Sequence, residues 1–137
     1  MKSIVLILAL TLVTAAGCSR SSRGPYPATG AKGTPLSEKH SILYLTRSLQ
    51  KVLLVVNEDA SRTAEGRMAV EVVFQNTQPK PLHVQIQTAF RDEKGNETGR
   101  TNFQNFMVAA HETKSFRVTS LNDRPDRYLM QIRRLSK

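Results

Sequence analysis

The side chains able to do chemistry are few and scattered. His40, His83 and His111 stand far apart, with no His, Asp or Glu partner at ligand spacing. Zinc sites draw their ligands in close pairs, so these read as surface histidines. Asp92, Glu93 and Glu97 lie close together in Arg91-Asp92-Glu93-Lys94-Gly95-Asn96-Glu97-Thr98-Gly99, without the regular ligand spacing of a calcium loop. The density of turn formers there predicts a hairpin turn instead. Glu71 is an outward carboxylate with no obvious partner. There is no Gly-x-Ser-x-Gly and no phosphate loop. No catalytic residue, metal or cofactor is therefore expected. The sole cysteine, Cys18, excludes an internal disulfide and a cysteine-based metal cluster.

What remains is charge and position. The chain has 137 residues, a formal net charge of +9 and a pI near 10.2, a balance that favours anionic surfaces or acidic partners. Cations collect towards the C-terminal end, at Arg124, Arg127, Arg133, Arg134 and Lys137. Arg133 and Arg134 point to opposite faces of a strand. Arg117, Arg127 and Arg133 are expected to line one side of a sheet and to meet a protein partner. Nucleic acid would need stacking aromatics or a recognition motif beside the charge, and Tyr128 alone supplies neither, so no nucleic-acid partner is expected.

Cys18 has a more specific setting. Lys2 opens the chain, Ile4 to Val13 is a short apolar run, and Thr14-Ala15-Ala16-Gly17 follows, the layout of a signal peptide over residues 1–17. The run is short for a membrane span. Ala15-Ala16-Gly17-Cys18 resembles the bacterial lipobox, in which a peptidase cuts directly before a cysteine that carries acyl chains; Ala15 stands where Leu is commonest. The resemblance implies lipid attachment at Cys18 by chains of the palmitate class. Each buried methylene contributes about 0.8 kcal/mol, so several chains hold firmly. Cleavage also removes Lys2, which lowers the formal charge from +9 to +8. Ser19 follows the cysteine. An Asp there tends to retain enterobacterial lipoproteins in the inner membrane, so the resemblance implies the periplasmic face of the outer membrane.

These features must be held by something that folds. Residues 18–40 are rich in Ser, Gly and Pro and read as a flexible tether. Residues 41–137 read as one all-β domain. Its centre is Arg67 to Arg91, where Met68, Val70, Val72 and Phe74, then Leu82, Val84, Ile86, Thr88 and Phe90, recur with a period of two. The two runs, separated by Pro79-Lys80-Pro81, predict an antiparallel pair that covers a core on one side. Before them, a strand from Ile42, a helical turn around Thr46 to Gln50 and a strand at Val52 to Val56 are expected, then a polar loop over Asn57 to Gly66. After them come strands at Phe103 to Val108, Lys114 to Leu121 and Tyr128 to Leu135. Six to eight short strands at this spacing predict a sandwich.

Several of these stretches resemble the YcfL-like family of small periplasmic lipoproteins. They are Val70-Glu71-Val72-Val73-Phe74-Gln75-Asn76, the Phe90-to-Gly95 run into a turn, the Val108-Ala109-Ala110-His111-Glu112-Thr113 step, and the final strand Tyr128 to Arg133. The resemblance implies a small immunoglobulin-like antiparallel β-sandwich on a lipid anchor. It carries no catalytic signature. The expected function is a non-catalytic binding or scaffolding module of the cell envelope. An accessory lipoprotein of a secretion or conjugation machine, or a hydrolase or transferase of envelope polymers, are the alternatives.

Overall fold

The computed structural model describes residues 24–31 and 42–135. The expected signal peptide over residues 1–17, Cys18 and the remainder of the 18–40 segment lie outside the described residues. The elements, in order, are β1 (Tyr26–Pro27), β2 (Thr29–Gly30), β3 (Ile42–Tyr44), α1 (Leu49–Val52), β4 (Leu53–Arg62), β5 (Met68–Asn76), β6 (Leu82–Arg91), β7 (Glu97–Arg100), β8 (Gln104–Val108), β9 (Thr113–Thr119) and β10 (Arg127–Arg134). They form a β-sandwich. The first sheet runs β1-β3-β10-β6-β7, with β8 also on β6; the second runs β2-β4-β5-β9. Most pairings are antiparallel, but β3 lies parallel to β10 and β2 parallel to β4.

The period-two rows point where they were expected to. Met68, Val70, Val72 and Phe74 of β5 are buried, as are Leu82, Val84, Ile86, Thr88 and Phe90 of β6. The pairing differs. β5 bonds to β4 and β9, while β6 bonds to β10, β7 and β8, so the two runs lie in opposite sheets and face each other across the core. Residues 77–81 are a crossover between sheets and not a hairpin turn. Asn76 explains the crossover. Its side chain is fully buried. Its Nδ2 donates to the carbonyls of Lys80 (2.9 Å), Val108 (3.1 Å) and Ala109 (3.0 Å), and its Oδ1 accepts from the Gln78 amide (2.9 Å). Pro79 and Pro81 have no N–H to continue a ladder.

The hairpin partner of β5 is β4. It continues to Arg62 where a loop from Asn57 was expected, because Asn57 to Arg62 take up register with Val73 to Met68 beyond a bulge at Val56. Only residues 63–67 turn, with Gly66 at φ +79°, a left-handed conformation that suits glycine. Between the sheets, Phe106 stands edge-on to Phe74 (6.0 Å) and Phe116 (5.5 Å), contacts of about 0.5–1.5 kcal/mol each.

Part of the expected tether belongs to the sandwich. Tyr26–Pro27 pairs with β3 and Thr29–Gly30 with β4. Ala28 between them is fully buried, and its N–H donates to the Ile42 carbonyl at 3.2 Å. Two-residue strands show no periodicity, and the proline that marks a breaker in composition sits here on an edge strand, where no donor is required.

Candidate functional site

The strand directions define two ends. β3 and β10 run parallel, with β6 antiparallel to β10 and β8 to β6. The ends of β3, β8 and β10 and the start of β6 therefore gather at one end, here the near end. The first sheet turns Arg127, Leu129, Gln131 and Arg133 of β10 outward, alongside Arg91, Ala89, Gln87 and Gln85 of β6.

On this outer face the polar side chains hold one another. Arg133 Nε donates to Gln85 Oε1 at 2.8 Å, and Gln85 Nε2 donates to Asn105 Oδ1 at 2.9 Å. The Arg133 guanidinium lies 4.0 Å from the centre of the Phe103 ring. Gln87 Nε2 donates to the Thr101 carbonyl at 3.1 Å and its Oε1 accepts from Arg100, which also grips Glu97. That grip holds the Glu97 carboxyl below the usual carboxylate range and raises Arg100. The result is a flat row of amides, a stacked guanidinium and an aromatic ring, each oriented by its neighbours. A planar cation fixed over a ring keeps free N–H groups for a partner at reduced entropic cost. Phe103 was expected to begin a strand. It precedes β8, and no sequence signal pairs it with Arg133.

The three expected contact arginines do not assemble. Arg133 and Arg127 share the outer face of the first sheet but stand six residues apart on β10, about 20 Å. Arg127 lies against Asp126 (3.5 Å) and the Glu93 carbonyl. Arg117 is on β9, in the other sheet, and its Nε is 3.0 Å from Glu71 Oε1. Sequence spacing could not reveal which sheet each strand joins. Glu71, taken as unpartnered, thus has a partner. Arg117 is the main cause that lowers its carboxyl.

Around that pair the outer face of the second sheet dips into a shallow depression of about 360 Å³, bounded by Asp59, Ser61, Glu71, Arg117 and Thr119. Asp59 and Glu71 are register partners. A general acid needs a carboxyl pushed up, and Glu71 is pushed down. No Ser-x-x-Lys pairing was expected, yet Ser48-Leu49-Gln50-Lys51 has the spacing of a serine nucleophile and its lysine; both side chains are exposed on and beside the single turn of α1. His83 and His111 are exposed, and His111 occupies a left-handed turn at φ 59°; His40 lies outside the described residues. Among the described residues, no three His, Cys, Asp or Glu gather to hold a metal. No described helix is long and apolar enough to cross a membrane.

No family model and no curated protein matches the chain. Its fold is similar to that of cj0090 from Campylobacter jejuni, with a TM-score of 0.57 at 14% identity, over 71% of this chain and 100% of that one. It is also similar to a DUF1425 family member from Shewanella sp. pv-4, with a TM-score of 0.56 at 14% identity, over 62% of this chain and 80% of that one. At this identity the likeness is one of fold.

Proposed function

We propose that this chain is a YcfL-like lipoprotein, held by acyl chains on Cys18 at the periplasmic face of the outer membrane, that works by contact and not by catalysis. Its partner is an envelope protein, bound by the outer face of the first sheet. The observation that carries this reading is Arg133, stacked on Phe103 and bonded to Gln85 in a row with Asn105. Arginine and aromatic side chains anchor protein interfaces, and here they are set before any partner arrives. The shared sandwich of two small bacterial proteins supports the fold half of the reading. The anchor half rests on Ala15-Ala16-Gly17-Cys18. A tether to one membrane raises the local concentration of the domain, so a modest contact suffices.

Site-specific photo-cross-linking in intact cells tests the proposal. A cross-linker at Asn105 should give one discrete adduct, and the same group at Ser115 on the second sheet should not. Adding Arg133→Ala should remove the adduct. Equal adducts from both faces, or none from Asn105, would overturn the assignment.

A further inference from the structure

The near end of the sandwich differs sharply in charge from the rest. It gathers Arg47 on the loop after β3, Lys51 on α1, Lys80 in the crossover, Lys114 at the start of β9, and Arg133 and Arg134 at the end of β10. Among the described residues, Glu112 is the single carboxylate at this end. The other nine acidic residues of the described part face eight cations, close to balance. The ion pairs Arg100–Glu97, Arg117–Glu71 and Arg127–Asp126 lie away from this end, and Arg47, Lys51, Lys80 and Arg134 are in none of them. Among these cations stand exposed apolar side chains, Leu45 (39%), Met107 (40%) and Leu135 (40%). Backbone bonds bring the loops together here: Leu45 N–H donates to Ile132, Leu135 N–H to His83, and Arg134 N–H to the Thr46 hydroxyl.

The chain also enters at this end. Pairing of Tyr26 with Tyr44 sets Gly24 beside Leu45, and a Cβ built on Gly24 would come 3.8 Å from the Leu45 carbonyl oxygen. Cys18 is six residues before Gly24, so even at full extension it lies within about 22 Å of Gly24. Whatever membrane holds Cys18 is that close to the cationic end.

We propose that the near end docks on the anionic phospholipid headgroups of the leaflet that holds the anchor, with Arg47, Lys51, Lys80 and Arg134 at the phosphates and Leu45 and Leu135 against the interface. This rests on the anchor reading above. Each such cation contributes roughly a fivefold gain in partitioning at an anionic surface. Docking turns a loose tether into a fixed orientation and sets the strands upright on the membrane. The outer face of the first sheet then points sideways.

The test uses the acylated, full-length mature chain in vesicles of phosphatidylcholine, alone or with phosphatidylglycerol, and reads amide hydrogen exchange. Flotation with the neutral vesicles checks the anchor separately; failure there sinks the anchor reading. In anionic vesicles, residues 45–52 and 77–82 should exchange roughly fivefold or more slowly than in neutral ones. The difference should vanish at about 1 M salt, where the screening length is ~3 Å. The turn at Asp92 to Asn96 should be unchanged. Arg47→Glu with Lys51→Glu and Lys80→Glu should abolish the effect, and Arg124→Glu with Arg127→Glu should leave it. A floating protein whose near end exchanges equally in both vesicles overturns the proposal. So does protection that needs added envelope protein and not anionic lipid, which would reassign this end to an acidic protein partner.

Discussion

Asn76→Ala is the sharpest perturbation of the fold. The wild-type amide is fully buried and serves three carbonyls and one N–H. Each buried group stripped of its partner costs about 1–3 kcal/mol. The Lys80 and Ala109 carbonyls lie on loop residues that water can reach, so they recover most of their loss. The Val108 carbonyl, in the one buried bond of the four, takes the largest share of the penalty, and the part-buried Gln78 amide a smaller one. The expected loss is about 3–4 kcal/mol, a large share of the ~5–15 kcal/mol of a small domain. Urea unfolding of the mature chain measures it, with an unchanged slope required for the comparison. Asn76→Ser should lose nearly as much, because one hydroxyl cannot span three carbonyls. Because the amide binds both the 77–81 crossover and the 108–112 turn, the variant should also speed exchange in those two segments at once. A loss below ~1 kcal/mol would mean that the prolines and core contacts alone hold the crossover.

Val72 is fully buried, so Val72→Asp should cost several kcal/mol and unfold the domain, while Glu71→Gln beside it, which loses only an exposed ion pair with Arg117, should cost far less at pH 7 in the same urea assay. Glu71, Asp92 and Glu97 have carboxyls held down by Arg117, the Asn96 side chain and Arg100 respectively. Depressed folded-state values give stability that is present above the ordinary carboxylate range and lost as pH falls through them. The unfolding midpoint should therefore drop between pH 6 and pH 2, and less so in Glu71→Gln. Cys18→Ser should move the protein out of the membrane fraction on cell fractionation; a membrane-bound Cys18→Ser chain with no acyl mass on wild type would refute the anchor.

The faces of the strands were legible and their neighbours were not. A period of two states which side chains turn inward, and Met68 to Phe74 and Leu82 to Phe90 did so. It does not state which strand lies beside which, so two rows that face each other across a core look the same as two rows side by side. The Asn that ends β5 was visible as a pattern, but its four bonds to segments up to 33 residues away were not. The same gap explains the arginines. Arg117 and Arg133 look alike in sequence, and only the sheet assignment puts them on opposite sides of the molecule. Phe103 was missed because its partner is 30 positions away and Phe103 itself lies just before β8, outside any strand.

The crossover at residues 77–81 also governs the timing of folding. Because β5 and β6 do not pair with each other, neither central strand can be completed locally. Val72 waits for Phe116 and Ile86 for Ile132, partners 44 and 46 residues later in the chain. The β4–β5 and β6–β7 hairpins, each closed by a short turn, can form early. Distant pairing of this kind slows folding, since the loop must close before the contacts repay it. A chain threaded through a membrane N-terminus first has β10 among its last segments to emerge, so the β3–β10 and β6–β10 ladders of the first sheet cannot form until passage is nearly complete.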